Sequence, residues 1–201
     1  MAHKARSVPQ GIWAIGSDLE GLTESQAWLT SAAPAAAVTL RRPKSEPRQT
    51  LQVIRAMVAQ KTFVAVHGLA DLAQAAKAHA VIAGFRSLPL AVYKMRFPNL
   101  LLGKSTHSEE EVQVAVKDGA DFLIFGPIWD TPEKQGLLQA RGIERLESLC
   151  RGTELPVIAI GGIQSAEQVV ACKAAGAHGV AVLRVAKNLA TMTELSSAWE
   201  S

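Results

Sequence analysis

Two cysteines, Cys150 and Cys172, are all that 201 residues contain, too few for a disulfide framework. No C-x-x-C occurs and no histidine stands at zinc-ligand spacing from either, so a reduced, cytoplasmic chain is expected. Aromatic residues are equally scarce at 5%, which leaves Ala, Val, Leu and Ile to build the core. Charge of one sign is not concentrated anywhere: 21 Lys and Arg oppose 18 Asp and Glu, for a net +3 and an isoelectric point near 9.0. That balance argues against nucleic-acid binding as the main task. No apolar stretch reaches the roughly 18 uncharged residues of a membrane span, so no membrane partner is expected. The basic segment Met1–Arg6 leads into a short apolar run broken by Pro9, Gly11 and Gly16, unlike a secretory signal. What remains, 48% hydrophobic and 19% charged, is the composition of a globular protein, and its length suits one domain over residues 1–201.

Short β-branched runs alternate with longer helical patterns. Strands are expected at Gly11–Ser17, Ala35–Arg42, Phe63–Gly68, Ala80–Gly84, Leu100–Thr106, Ala120–Ile128, Leu155–Gly162 and Gly179–Ala186. The helices between and after them are expected at Thr23–Ser31, Pro47–Ala59, Asp71–Lys77, Leu90–Phe97, Glu109–Lys117, Ile143–Cys150, Ala166–Ala175 and Met192–Glu200. The strands are continuous apolar runs, as parallel strands covered on both faces should be. Eight such pairs in an α/β chain predict a single-domain (β/α)₈ TIM barrel. A doubly wound open sheet is the rival, but no G-x-G-x-x-G follows the first strand.

In such a barrel the site lies at the C-terminal ends of the strands. Those ends carry Arg41, Arg42, His67, Arg86, Lys104, Ser105, His107, Thr131, Lys134, Gly161, Gly162 and Arg184, a set dominated by cations and small residues. An anionic ligand is the natural inference. Gly161 and Gly162 after the seventh strand let a ligand approach the backbone, and the helix that follows turns its N-terminus toward the same place. The competing explanation is a glycine turn needed only for packing. Arg184 would add a full charge there, and Thr131 with Lys134 could close over the ligand from the loop after strand six. Trp129 in that loop reads as packing more readily than as a stacking platform. His67 and His107 are the titratable groups placed for proton transfer.

The segments VTLRR, RFPNLLLGKSTHSEEE, GADFLIFGPIWDTPEK and PVIAIGGI with AGAHGVAVLR resemble the thiamine phosphate synthase/TenI family of barrels from about residue 11 to 188. RFPNLLLGKSTHS and VHG look closer to TenI than to the synthase. The resemblance implies thiamine biosynthesis and a small phosphorylated thiazole ligand. The synthase branch joins a pyrimidine methyl diphosphate to thiazole phosphate with Mg²⁺ holding the diphosphate. This chain departs from it: His67-Gly68 replaces Asn-Asp, and Gly84-Phe85-Arg86-Ser87 replaces Gly-Gln-Glu-Asp. The TenI branch is a metal-free thiazole tautomerase, an isomerase that moves a proton to make the ring aromatic. Its acid/base histidine corresponds here to Pro127.

The expectation drawn from these residues is a TenI-like tautomerase without cofactor or metal, with His107 or His67 as proton shuttle. Gly161, Gly162, Arg184, Thr131, Lys134, Arg41 and Ser105 would bind the substrate. A non-catalytic thiazole-phosphate or thiamine-phosphate binder and a thiamine phosphate synthase are the alternatives. Apolar helix faces make a homodimer the expected assembly.

Overall fold

The computed structural model of the chain describes residues 7–132 and 138–201. Its eight strands are β1 (Gly11–Ser17), β2 (Ala37–Arg41), β3 (Phe63–His67), β4 (Ala80–Ala83), β5 (Leu101–Thr106), β6 (Phe122–Phe125), β7 (Val157–Ile160) and β8 (Gly179–Val182). The helices that follow them are α1 (Gly21–Ser31), α2 (Pro47–Ala59), α3 (Ala70–Ala75), α4 (Leu90–Arg96), α5 (Glu109–Lys117), α6 (Gly142–Gly152), α7 (Ala166–Ala174) and α8 (Leu189–Glu200). Each strand pairs in parallel with the next, and β1 closes on β8 with Gly11 opposite Gly179. The fold is therefore a single-domain (β/α)₈ barrel, as the alternation predicts.

Successive side chains on a strand point to opposite faces, and here both faces are buried. One parity, including Val38, Val64, Val81, Leu123 and Val180, packs against the helices. The other, including Trp13, Ile15, Ile82, Phe122, Ile124 and Ile158, fills the barrel. Trp13 lies 5.3 Å from Phe63 and 5.4 Å from Phe122 between ring centroids, so three aromatics plug the N-terminal end. Above them Ile15, Ile82, Ile124 and Ala181 form the base of the open end. The barrel is floored at one end and open at the other.

Several expected boundaries move. Strand six is expected over Ala120–Ile128, but Ala120 donates its N–H back to Ala115 O at 2.9 Å in the turn that follows α5, and the strand starts at Phe122. At the other end of that run Gly126–Pro127, a cis peptide, leads the chain out of the sheet, and Ile128 is buried outside it. Strand eight stops at Val182 because Val185–Lys187 forms a 3₁₀ turn whose Ala186 is buried. In both places an apolar run continues past its strand because the next residues bury themselves without joining the sheet. The other strand ends shift by one or two residues inward.

Candidate functional site

The inward parity of each strand, carried one step past the core, selects the side chains at the open end. Thr39 leads to Arg41, Ala65 to His67, Ile82 to Gly84, and Gly103 to Ser105. Of these, Arg41, His67, Ile82, Gly84 and Ser105 line a cavity of about 940 Å³ at the C-terminal mouth. Of the expected site residues, Arg41, His67, Ser105, His107, Thr131, Gly161, Gly162 and Arg184 all line it. Lys134 lies outside the described residues. Four arginines and two histidines face the cavity, and among its described lining residues there is no Asp or Glu.

His67 ends β3 with its Nε2 3.4 Å from the hydroxyl of Thr39. Burial, aided by the positive charge of Arg41, pushes its pKa down to about 3. The ring is thus neutral at neutral pH, its protonated form excluded by desolvation and by the neighbouring guanidinium. His107 sits differently. Its ring Nδ1 is 3.2 Å from Glu111 Oε2, and its backbone N–H donates to the same oxygen at 2.7 Å, so it is tied to the first turn of α5.

Gly161 and Gly162 have φ of +102° and +72°. The space their Cβ atoms would take is filled not by solvent but by the loop after β6: Pro127 Cβ 2.5 Å from the first, Trp129 Cβ 2.5 Å from the second. Ile128 N–H donates to Ile160 O at 2.9 Å and Trp129 N–H to Gly161 O at 3.0 Å, so that loop is sewn to β7 beyond the sheet. The glycines are there first for loop packing, and Trp129 is a packing residue that does not reach the cavity. The N-terminus of α7 is also partly occupied. Ser165 and Gln168 form a capping box, and Gln168 Oε1 accepts from the N–H of Gln164 at 2.7 Å and of Ser165 at 3.3 Å. Gly161, Gly162 and Arg184 line the cavity beside this helix end.

Magnesium asks for oxygen donors with carboxylates among them. Among the described residues no group of three or more His, Cys, Asp or Glu could share an ion. The ends of β3 and β4 offer His67, Gly68, Phe85, Arg86 and Ser87 to the cavity. Asp18, the carboxylate nearest in sequence to a strand end, does not line it. The Ser17 hydroxyl, donating to Asp18 Oδ2 at 2.6 Å, and Arg42, at 3.1 Å from the same oxygen, hold this carboxyl below its usual range. The donor set does not fit a Mg²⁺ ion.

Phe85, Leu88 and Tyr93 also line the mouth, and residue-type reasoning missed them because it searched strand ends for polar groups. The position of Phe85 directly after Gly84 was the available signal.

The fold defines a (β/α)₈ barrel whose mouth, lined by four arginines, opens at the C-terminal ends of its strands. The sequence pattern of one family, described as thiamine monophosphate synthase, matches residues 16–186, and the chain belongs to that family. It is 30% identical over 168 residues to a thiamine-phosphate synthase of Methanococcus maripaludis, covering 80% of each chain. It is 43% identical over 120 residues to that of Gloeobacter violaceus, a match spanning 59% of this chain but only 35% of the Gloeobacter protein. Thiamine phosphate pyrophosphorylase from Pyrococcus furiosus superposes with a TM-score of 0.81 at 26% identity, covering 95% of this chain and 96% of that one. No helix among the described residues is long and apolar enough to cross a membrane.

Proposed function

We propose that the protein takes thiazole phosphate and a pyrimidine methyl diphosphate together in the mouth and condenses them to thiamine phosphate. The carrying observation is the cavity itself: about 940 Å³, lined by four arginines and no described carboxylate. Ligand sites run about 300–1,000 Å³, so this one has room for two small molecules. Two phosphorylated molecules placed side by side repel each other, and the arginines offset that repulsion. In the condensation the bond from the pyrimidine methylene carbon to the diphosphate oxygen breaks, its electron pair leaving on diphosphate. The thiazole ring nitrogen donates its lone pair to the same carbon. No proton has to move, so the reaction asks for cations and orientation and needs no general base.

The names of the relatives support condensation over the tautomerase expected from the TenI-like segments. The site chemistry points the same way. A proton shuttle works best with a pKa near the operating pH, whereas His67 is held neutral. Pro127 occupies the position of the family tautomerase's histidine. The test is incubation of the protein with both substrates, measuring thiamine phosphate and diphosphate. Equal amounts of both products, and none when either substrate is omitted, are expected. Saturable binding of thiazole phosphate without product would replace the enzyme with a binding protein. Accelerated aromatisation of thiazole carboxylate phosphate, followed in the ultraviolet, would restore the tautomerase.

A further inference from the structure

The mouth carries guanidinium where the resemblance to the synthase branch calls for metal ligands. Arg86 occupies the β4–α4 loop at the third position of Gly84-Phe85-Arg86-Ser87 and lines the cavity. The loop that presents it is closed on itself: Gly84 N–H donates to Ser87 Oγ at 2.8 Å, and Ser87 N–H donates to Gly84 O at 3.2 Å. Lys104 Nζ, from β5, donates to that same Gly84 oxygen at 3.1 Å. The turn is therefore pinned from two sides, with an ammonium against it and a guanidinium on it. A divalent cation arriving there meets two like charges and, among the described lining residues, no carboxylate. An anion arriving there meets the opposite. Arg42, on the β2–α2 side, lines the same cavity, and its contact with Asp18 is an exposed ion pair that leaves its other N–H groups able to donate.

We propose that Arg86, assisted by Arg42, holds the diphosphate group of the substrate directly, so that this protein binds diphosphate without a metal ion. A guanidinium suits the task because its planar fork gives two parallel hydrogen bonds to phosphate oxygens and keeps its charge at any working pH. The pinned turn fixes the backbone from which that fork reaches the ligand. The proposal rests on the condensation reading for its substrate. Its test does not.

The experiment is calorimetric titration of inorganic pyrophosphate into the full chain, first in EDTA and then with excess Mg²⁺. Saturable one-to-one binding is expected in EDTA. Added Mg²⁺ should weaken it, because the ion neutralises pyrophosphate in solution and finds no ligand in the protein. R86Q should lose about tenfold or more in affinity, the scale of a charge-assisted hydrogen bond, and R86K should recover part of it. Arg86 is exposed, so R86Q should fold as the parent does, and an unchanged urea unfolding midpoint would verify that. Binding that appears only when Mg²⁺ is added, or R86Q binding as tightly as the parent, would overturn the proposal. Metal-free pyrophosphate binding without any thiamine phosphate synthesis would uphold this site and sink the condensation reading. Synthesis with strict Mg²⁺ dependence would do the reverse.

Discussion

Replacing Gly161 by Ala separates the two reasons a glycine could stand at the end of β7. The added Cβ would lie 2.5 Å from Pro127 Cβ and 2.6 Å from Pro127 Cα, where nonbonded carbons settle about 3.5–4.0 Å apart. Neither partner is the free end of a flexible chain, and the loop cannot retreat without loosening the Ile128 and Trp129 hydrogen bonds to Ile160 and Gly161. The backbone at φ +102° adds strain of about 1–3 kcal/mol, and overpacking adds another 1–3 kcal/mol or so. A total of about 2–6 kcal/mol corresponds, for a chain of this size, to a melting temperature lower by roughly 4–24 °C. Gly142→Ala is the control. Its φ of +77° carries left-handed strain, but nothing stands within 4 Å of the new atom, so about 1–2 kcal/mol is expected. Urea unfolding of both variants, with thiazole phosphate titrated into each, reads the comparison. If G161A were as stable as G142A yet had lost its ligand, the loop-packing account would be refuted and the glycine assigned to the ligand.

His67 makes stability fall with acid. Its pKa is near 6.5 in the unfolded chain and about 3 in the folded one, so its contribution is complete above pH 6.5 and is lost as pH falls toward 3. The slope from this one group is at most about 1.4 kcal/mol per pH unit, and H67Q should flatten the dependence of the urea midpoint between pH 7 and pH 5. A variant with the parent's slope would place the acid sensitivity elsewhere. The cysteines should be inert in the folded protein: burial raises the Cys150 thiol to about 11, while burial and then Cys150 raise Cys172 to about 12. A thiol-reactive disulfide reagent at pH 8 should therefore label neither until urea is added. Fast labelling of the native protein would contradict the burial.

The barrel was legible because its signal is repetitive. β1, α2 and α5 occupy the residues that the apolar pattern assigns them, since Gly11, Pro47 and Ser108 punctuate them sharply. Ser108 does what its position suggests, accepting from Glu111 N–H at 3.2 Å to cap α5. β6 and β8 were drawn too long because burial and strand geometry are different properties, and a sequence shows only the first. The mouth was legible as a set of positions: alternation along a strand says which of its last residues turn inward. It was not legible as chemistry. Nothing in the segment VHG tells that Arg41 will stand close enough to hold His67 neutral. Nothing in IGGI tells that Pro127 and Trp129 will claim the space beside both glycines. Those contacts join residues some 25 to 35 positions apart, and only the pairing of β2 with β3 and of β6 with β7 brings them together.

The aromatic plug of Trp13, Phe63 and Phe122 leaves the two ends of the barrel answerable to different demands. The plug can be held constant by packing alone while the rim is rewritten, because none of its three aromatics lines the cavity. Gly68 after β3 and Arg86 after β4, which stand where the synthase pattern carries carboxylates, are both remote from that plug. A barrel organised this way can change the charge of its mouth without putting its own folding at stake.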